Sequence, residues 1–279
     1  MLQLIERLKT WFDIAKDTRK KFLEDNGKLV AGAVSFFAFL SIFPLLLTAT
    51  GVLGMVIGSP DEAERLVLSI TKQYVVGTQA RELVTQVVRG KNAATGIGLV
   101  LLFWSGTTVM VMLEQAMNLA WGVRGRRSFI RSRAVGFALF AVVSALMLLS
   151  VGAAAIANYV AAREAQVIPG WSGLMTLNSY LIPLLAITAT FTLVYKILPF
   201  TDVKWKAAII GGVFAGILWE MALQIFAFYV VNFARYNQVY GSLGAVILLL
   251  VWINYSAIIV ILGAELASVI QRRQETTAR

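Results

Sequence analysis

Apolar residues along this chain gather into six long runs, at about 29–58, 93–119, 134–162, 174–195, 207–231 and 243–270. Each holds the roughly 20 mainly apolar residues that a membrane-spanning helix needs. None alternates with period two over the about 9–11 residues of a barrel strand, so each predicts a helix. The first, third and sixth runs are the longest, which implies tilt, a kink or protrusion beyond the hydrocarbon. The expected architecture is all-α: one six-helix membrane domain over 29–270, preceded by a cytoplasmic segment at 1–28 and followed by a cytoplasmic tail at 271–279.

The polar stretches between the runs carry patterns of their own. Over 2–24, Leu4, Leu8, Trp11, Phe12, Ala15 and Phe22 fall near one helical face, while Arg7, Lys9, Lys16, Arg19, Lys20 and Lys21 occupy much of the rest. That is the pattern of an amphipathic helix lying in the membrane interface. Glu6, Asp13 and Asp17 interrupt it, and the apolar run that follows is too long for a secretory h-region. In the loop 61–92, Ser59-Pro60-Asp61-Glu62 forms a capping box with Pro at the first helical position. Leu66, Val67, Ile70 and Tyr74 then share a face, and after Gly77 so do Ala80, Leu83, Val84, Val87 and Val88. Two short amphipathic helices on the outer side are expected there, packed on the bundle or open to an envelope partner.

Composition and charge then set orientation and exclude chemistry. Of 279 residues, 58% are hydrophobic and 14% charged, and the mean hydropathy is +0.75. A soluble domain is nearer a quarter charged, so much of this surface must face lipid. The net charge of +10 reads as cytoplasmic Lys and Arg rather than as a nucleic-acid footprint. With both termini inside, 18 of the 25 Lys and Arg fall on the cytoplasmic side, five of them Arg124, Arg126, Arg127, Arg131 and Arg133 in one loop. The positive-inside rule favours that topology. With no Cys and no His, disulfides, thiol catalysis, Cys/His zinc sites and a His general base are excluded. No cofactor and no metal site are expected.

Four short motifs, taken in order, resemble one family. Asp25-Asn26 precedes Ala33-Val34-Ser35-Phe36-Phe37-Ala38-Phe39-Leu40-Ser41-Ile42-Phe43-Pro44-Leu45-Leu46, and Asn118-Leu119-Ala120-Trp121-Gly122-Val123 precedes the Arg-rich loop. Leu198-Pro199 leads to Lys204-Trp205, and Tyr240-Gly241-Ser242-Leu243-Gly244 to Gly263-Ala264-Glu265-Leu266. From about 20 to 270 the chain is similar to the YihY/BrkB family. That resemblance implies a multi-pass protein of the bacterial inner membrane, with members tied to serum resistance, lipid-precursor export and solute export. The label "ribonuclease BN" that accompanies the family is regarded as misplaced. Asn254, in Trp252-Ile253-Asn254-Tyr255, departs from the pattern, where an aromatic or aliphatic residue is usual.

The groups left to carry chemistry are carboxylates, amides and cations. Glu220 sits near the middle of the fifth run, with Gln224 one turn on; Glu114 and Glu265 lie in the cytoplasmic halves of the second and sixth. An ionisable group inside a bilayer costs several kcal/mol on insertion and marks a functional candidate. Glu220, Gln224, Glu114, Asn118, Glu265 and Asn254 are the candidate polar path. Structural pairing with rim cations is the competing reading, favoured for Glu114 and Glu265. Pro44 and Pro183 fall near the centres of the first and fourth runs, and each is followed by Leu and Thr in a similar order. Interrupted helices at matching places in two inverted halves point to a transporter's midplane site. Arg235, Tyr236 and Tyr240 cluster outside, either as membrane anchors or as a binding site for an anionic headgroup or solute. Ala208, Gly212 and Gly216 recur every fourth residue, as in close helix packing.

These features lead to a transporter or flippase for an amphiphile, lipid precursor or small polar solute. There is no Gly-x-x-x-x-Gly-Lys-Ser/Thr phosphate loop, so it has no ATPase of its own. The alternative is a non-catalytic membrane scaffold or envelope-integrity, virulence-associated protein. A ribonuclease is disfavoured, and no enzyme activity is expected. Partners would be membrane lipids, a lipid or polar solute, a second copy or an envelope protein, and no nucleic acid.

Overall fold

The computed structural model describes residues 2–59, 61–62, 65–66, 68, 97–123, 125, 127–164, 171–233 and 242–277. Among them are seven long helices and no strands: α1 Leu2–Glu24, α2 Gly27–Ile57, α3 Ile97–Trp121, α4 Phe129–Glu164, α5 Trp171–Ile197, α6 Trp205–Phe233 and α7 Ser242–Thr277. The stretches Phe129–Leu146, Trp205–Val230 and Val246–Thr276 are long and apolar enough to cross a membrane. Gly27–Ile42 and Leu181–Ile197 are shorter apolar helical stretches. α2 and α5 stay α-helical through Pro44 and Pro183. The loop 61–92 lies largely outside the described residues, but Glu62 N–H donates to Ser59 Oγ at 3.3 Å, one half of the expected capping box. Arg235, Tyr236 and Tyr240 lie outside the described residues altogether.

Helix ends are written in the local sequence. α1 stops where Asn26 takes a φ of 53° and its N–H returns to the Leu23 carbonyl at 3.1 Å. Asn tolerates this left-handed conformation better than most side chains. α3 stops at Gly122, with a φ of 68°. Gly122 N–H donates to Leu119 O at 2.9 Å and Val123 N–H to Asn118 O at 2.8 Å. Those two bonds are a Schellman cap, so Asn118–Val123, one of the four motifs, is a helix terminator.

The chain divides into two compact units. Unit 1 comprises 1–28, 113–222 and 258–279; unit 2 comprises 29–112 and 223–257. In unit 1, α4 packs on α5, and α6 separates its faces cleanly. Ile209, Val213, Ile217 and Met221 are exposed, whereas Ala208, Gly212, Ala215 and Gly216 are buried. A Cβ at Gly212 or Gly216 would overlap the hydroxyls of Thr192 and Thr188, one turn apart on α5. In lipid there is little hydrophobic drive between helices, so close backbone packing of this kind supplies much of the association. Thr192 Oγ1 donates to Thr188 O at 2.8 Å, which satisfies that hydroxyl within its own helix.

On the other flank of α6, a Cβ at Gly211 would meet Gly263 O of α7 at 2.7 Å. Tyr195 of α5 is fully buried beside this crossing and donates its hydroxyl to Val260 O at 2.9 Å. α1 docks through Ile14, which joins Ala207, Leu266, Val269 and Ile270 in one core cluster. On α1 the buried stripe is Ile14, Thr18 and Phe22, whereas Trp11 and Phe12 are 52% and 72% exposed. Packing on the bundle therefore takes only one edge of the helix.

In unit 2, Asn254 Nδ2 donates to Ser35 Oγ at 3.3 Å, and that hydroxyl donates to Gly32 O at 2.8 Å. Phe226 and Trp252 rings meet at 5.0 Å. An amide in an apolar helix thus has a hydroxyl of the chain as partner, which accounts for an Asn at position 254.

Candidate functional site

Four of the sequence-selected polar residues, Glu114, Asn118, Glu220 and Glu265, belong to unit 1, and the first two stand by the linker 198–204 between α5 and α6. Arg127 follows the α3 cap and turns its guanidinium onto the end of α5. It donates to Leu198 O at 2.9 Å, Ile197 O at 3.1 Å and Pro199 O at 3.0 Å, and lies 5.6 Å from the Phe200 ring centroid. The last carbonyls of a helix have no partner within it, and the planar Arg fork is suited to collecting several at once. Glu114, buried on α3, accepts a hydrogen bond from Ser132 Oγ and lies 3.8 Å from Arg127.

Asn118 does two jobs at the same place. Its carbonyl closes the α3 cap, and its side-chain Oδ1 accepts from Phe200 N–H at 2.6 Å. Gln271 of α7 completes the hold on the linker. Its Oε1 accepts from Lys204 N–H at 3.2 Å and Trp121 Nε1 at 3.3 Å, while its Nε2 donates to Asp202 O and Glu275 Oε1, both at 3.1 Å. Lys196 adds an ion pair to Asp202 at 3.0 Å. Buried polar groups must be paired to be tolerated, and here donors and acceptors meet across four elements.

Glu265 is handled separately. It is 1% exposed on α7 and meets Lys21 Nζ of α1 at 2.8 Å; Lys21 also holds Asp25 at 2.6 Å. Asp17 pairs with Arg273 at 2.5 Å nearby. Two ion pairs and an apolar cluster therefore clamp α1 to the far end of α7.

Glu220 is different. It is half-buried on α6, four residues after buried Gly216 and three after exposed Ile217, so it stands at the border between the packed seam and the exposed face. Gln224, one turn on, is exposed. The structure therefore brings Glu114 and Asn118 together at the linker, sets Glu265 at the α1 clamp, and places Glu220 and Gln224 one turn apart on α6. Asn254 lies in unit 2 with Ser35. Sequence reasoning missed the structural weight of Arg127, Lys21 and Gln271. For Arg127 and Lys21 no local signal existed, since each was one cation in a basic run. For Gln271 there was one: Ala264, Ser268, Gln271 and Glu275 share a helical stripe that passes the end of the apolar run.

A family model described as Virulence factor BrkB matches residues 18–279. A UPF0761 membrane protein of Tolumonas auensis is 26% identical over 260 residues, covering 88% of this chain and 81% of that protein. Another, of Azotobacter vinelandii, is 29% identical over 249 residues, covering 88% of this chain but 60% of the longer relative. The putative ribonuclease-like protein YfkH of Bacillus subtilis is 27% identical over 275 residues, 93% of this chain and 96% of that one. No solved structure matches.

Proposed function

The chain belongs to the Virulence factor BrkB family of membrane proteins, and from that membership we propose an inner-membrane transporter or flippase of six spans. It moves an amphiphile, a lipid precursor or a small polar solute, with both termini in the cytoplasm and α1 lying along the inner interface. The bias of Lys and Arg toward the proposed inner side supports that topology.

The observation that carries transport is the depth at which Glu220 stands in an apolar span. Glu114 and Glu265 are each set against a cation of the chain. Glu220 lies within the apolar span Trp205–Val230, half-buried at the border between the packed seam and the exposed face of α6, with the Gln224 amide one turn further. A carboxylate at that depth carries an insertion cost, which suits a proton- or cation-coupled path. A scaffold role draws on the same inner network, whose bonds are explained by holding helices together.

The deciding experiment is flux in proteoliposomes. Fluorescent lipids and polar solutes are offered under an imposed pH gradient to wild type and Glu220→Gln. Gradient-driven movement in wild type, lost in a folded Glu220→Gln, is the expected result. No movement of any probe in wild type would favour the scaffold. The name of the Bacillus relative raises RNA cleavage. That chemistry needs His or clustered carboxylates, and this chain has no His. Among the described residues no three of His, Cys, Asp and Glu gather as metal ligands.

A further inference from the structure

A groove of about 500 Å3 opens between α1, α6 and α7 within unit 1, lined by Thr10, Trp11, Ile14, Lys206, Ile210, Ile270, Arg273 and Gln274. Its volume falls within the roughly 300–1,000 Å3 of small-molecule clefts, and its make-up is theirs too: apolar walls with a few placed polar groups. The walls are Trp11, Ile14, Ile210 and Ile270. The polar rim carries two cations, Lys206 and Arg273.

We propose that this groove binds one anionic glycerophospholipid of the cytoplasmic leaflet, acyl chain along Trp11 and Ile210, headgroup phosphate at Lys206. Three observations identify that occupant. Ile210 belongs to the first turns of the span Trp205–Val230 and Ile270 to the last third of Val246–Thr276, so two walls come from helices apolar enough to enter the bilayer. Trp11 of α1 and Trp205 at the start of α6 are both more than half exposed, as amphipathic rings are at the headgroup level. The charge is complementary: Arg273 is engaged by Asp17, but among the described residues no carboxylate lies within ion-pair reach of Lys206. A lone cation at the mouth of an apolar slot fits a phosphodiester that carries an acyl chain. Such a lipid would also fill the space beside the α1 clamp, so it would help fix α1. The proposal rests on the membrane topology given above and not on transport.

The test uses the full chain in nanodiscs, with phosphatidylglycerol and phosphatidylethanolamine probes that carry the same acyl-chain diazirine. Crosslinked peptides are mapped by mass spectrometry. The phosphatidylglycerol probe is expected to label the segments around Trp11 and Ile270 saturably, and more strongly than phosphatidylethanolamine. Lys206→Gln, on the surface and safe for folding, is expected to weaken labelling about fivefold, as for one cation at an anionic lipid surface. Ile210→Trp, which fills the slot, is expected to reduce it to background. Equal labelling by both probes, or labelling unchanged in Lys206→Gln, would overturn the proposal. Displacement by inorganic phosphate alone would overturn it too, by revealing an anion site without a chain. Lys9→Cys, the only thiol in such a chain, reports the side on which α1 lies. Its reaction solely from the outer face would sink the topology independently of the lipid result.

Discussion

Glu265 and Glu114 are both almost fully buried in unit 1, yet one meets its cation at 2.8 Å and the other at 3.8 Å. Coulomb attraction falls by only about a quarter between those distances, so charge alone does not separate the two stations. Hydrogen bonding does. Lys21 is a compact point charge and gives its bonds to Glu265 and Asp25, so it fastens one helix to another. Arg127 gives its bonds to three backbone carbonyls and leaves Glu114 to Ser132. The first station is a clamp whose charge matters most. The second is a helix cap whose shape matters most.

Arg127→Ala should have the largest effect. It leaves three carbonyls without their donor and Glu114 buried with a hydroxyl alone, a loss in the about 3–5 kcal/mol class of a broken buried pair. Arg127→Lys restores the charge but not the fork, and should recover less than half of the melting temperature lost in detergent. Full recovery would show that charge, not shape, sets the second station. At the clamp, Lys21→Ala should cost about 2–3 kcal/mol and make α1 the first site of limited proteolysis. Adding Glu265→Met to it should restore much of the loss, because no uncompensated charge then remains; a double variant worse than the single would undo the clamp reading.

Gln271→Ala comes next, at about 1–3 kcal/mol, since it strands the Lys204 N–H and the Asp202 carbonyl without their side-chain partner. Thermal melts compared with Asn118→Ala would show whether both act on the one linker: coupled losses are expected, and strict additivity would argue otherwise. The smallest stability change belongs to Glu220→Gln, within about 1 kcal/mol, because the amide keeps the shape of a side chain that is only half-buried. A severe loss of fold there would place Glu220 with the structural carboxylates.

Much of the fold was legible because it is local. The described helices largely coincide with the apolar runs that announced them, and Asn26 and Gly122 end α1 and α3 by capping chemistry. The spacing of Ala208, Gly212 and Gly216 announced a close approach, which Thr188 and Thr192 supply. The candidate site was less legible. Asn118, a candidate for the polar path, also holds the cap and the linker, a duty its local sequence does not announce. α7 continues to Thr277, through most of the segment expected as a tail, because Gln271 and Arg273 have partners in the linker and in α1.

What the sequence determined alone is the presence of apolar helices, the lack of Cys and His and the family. These follow from spacings of two to four residues and from composition, which any stretch of chain expresses without its neighbours. Only the tertiary structure decided which edge of α1 is buried and which cation serves which carboxylate. Lys21 reaches Glu265 across 244 residues, Trp121 reaches Gln271 across 150, and Arg127 reaches the α5 carbonyls across about 70. Over such separations a Lys or Arg in a basic run carries no mark of its partner, because the pairing is selected by where packed helices bring buried acceptors.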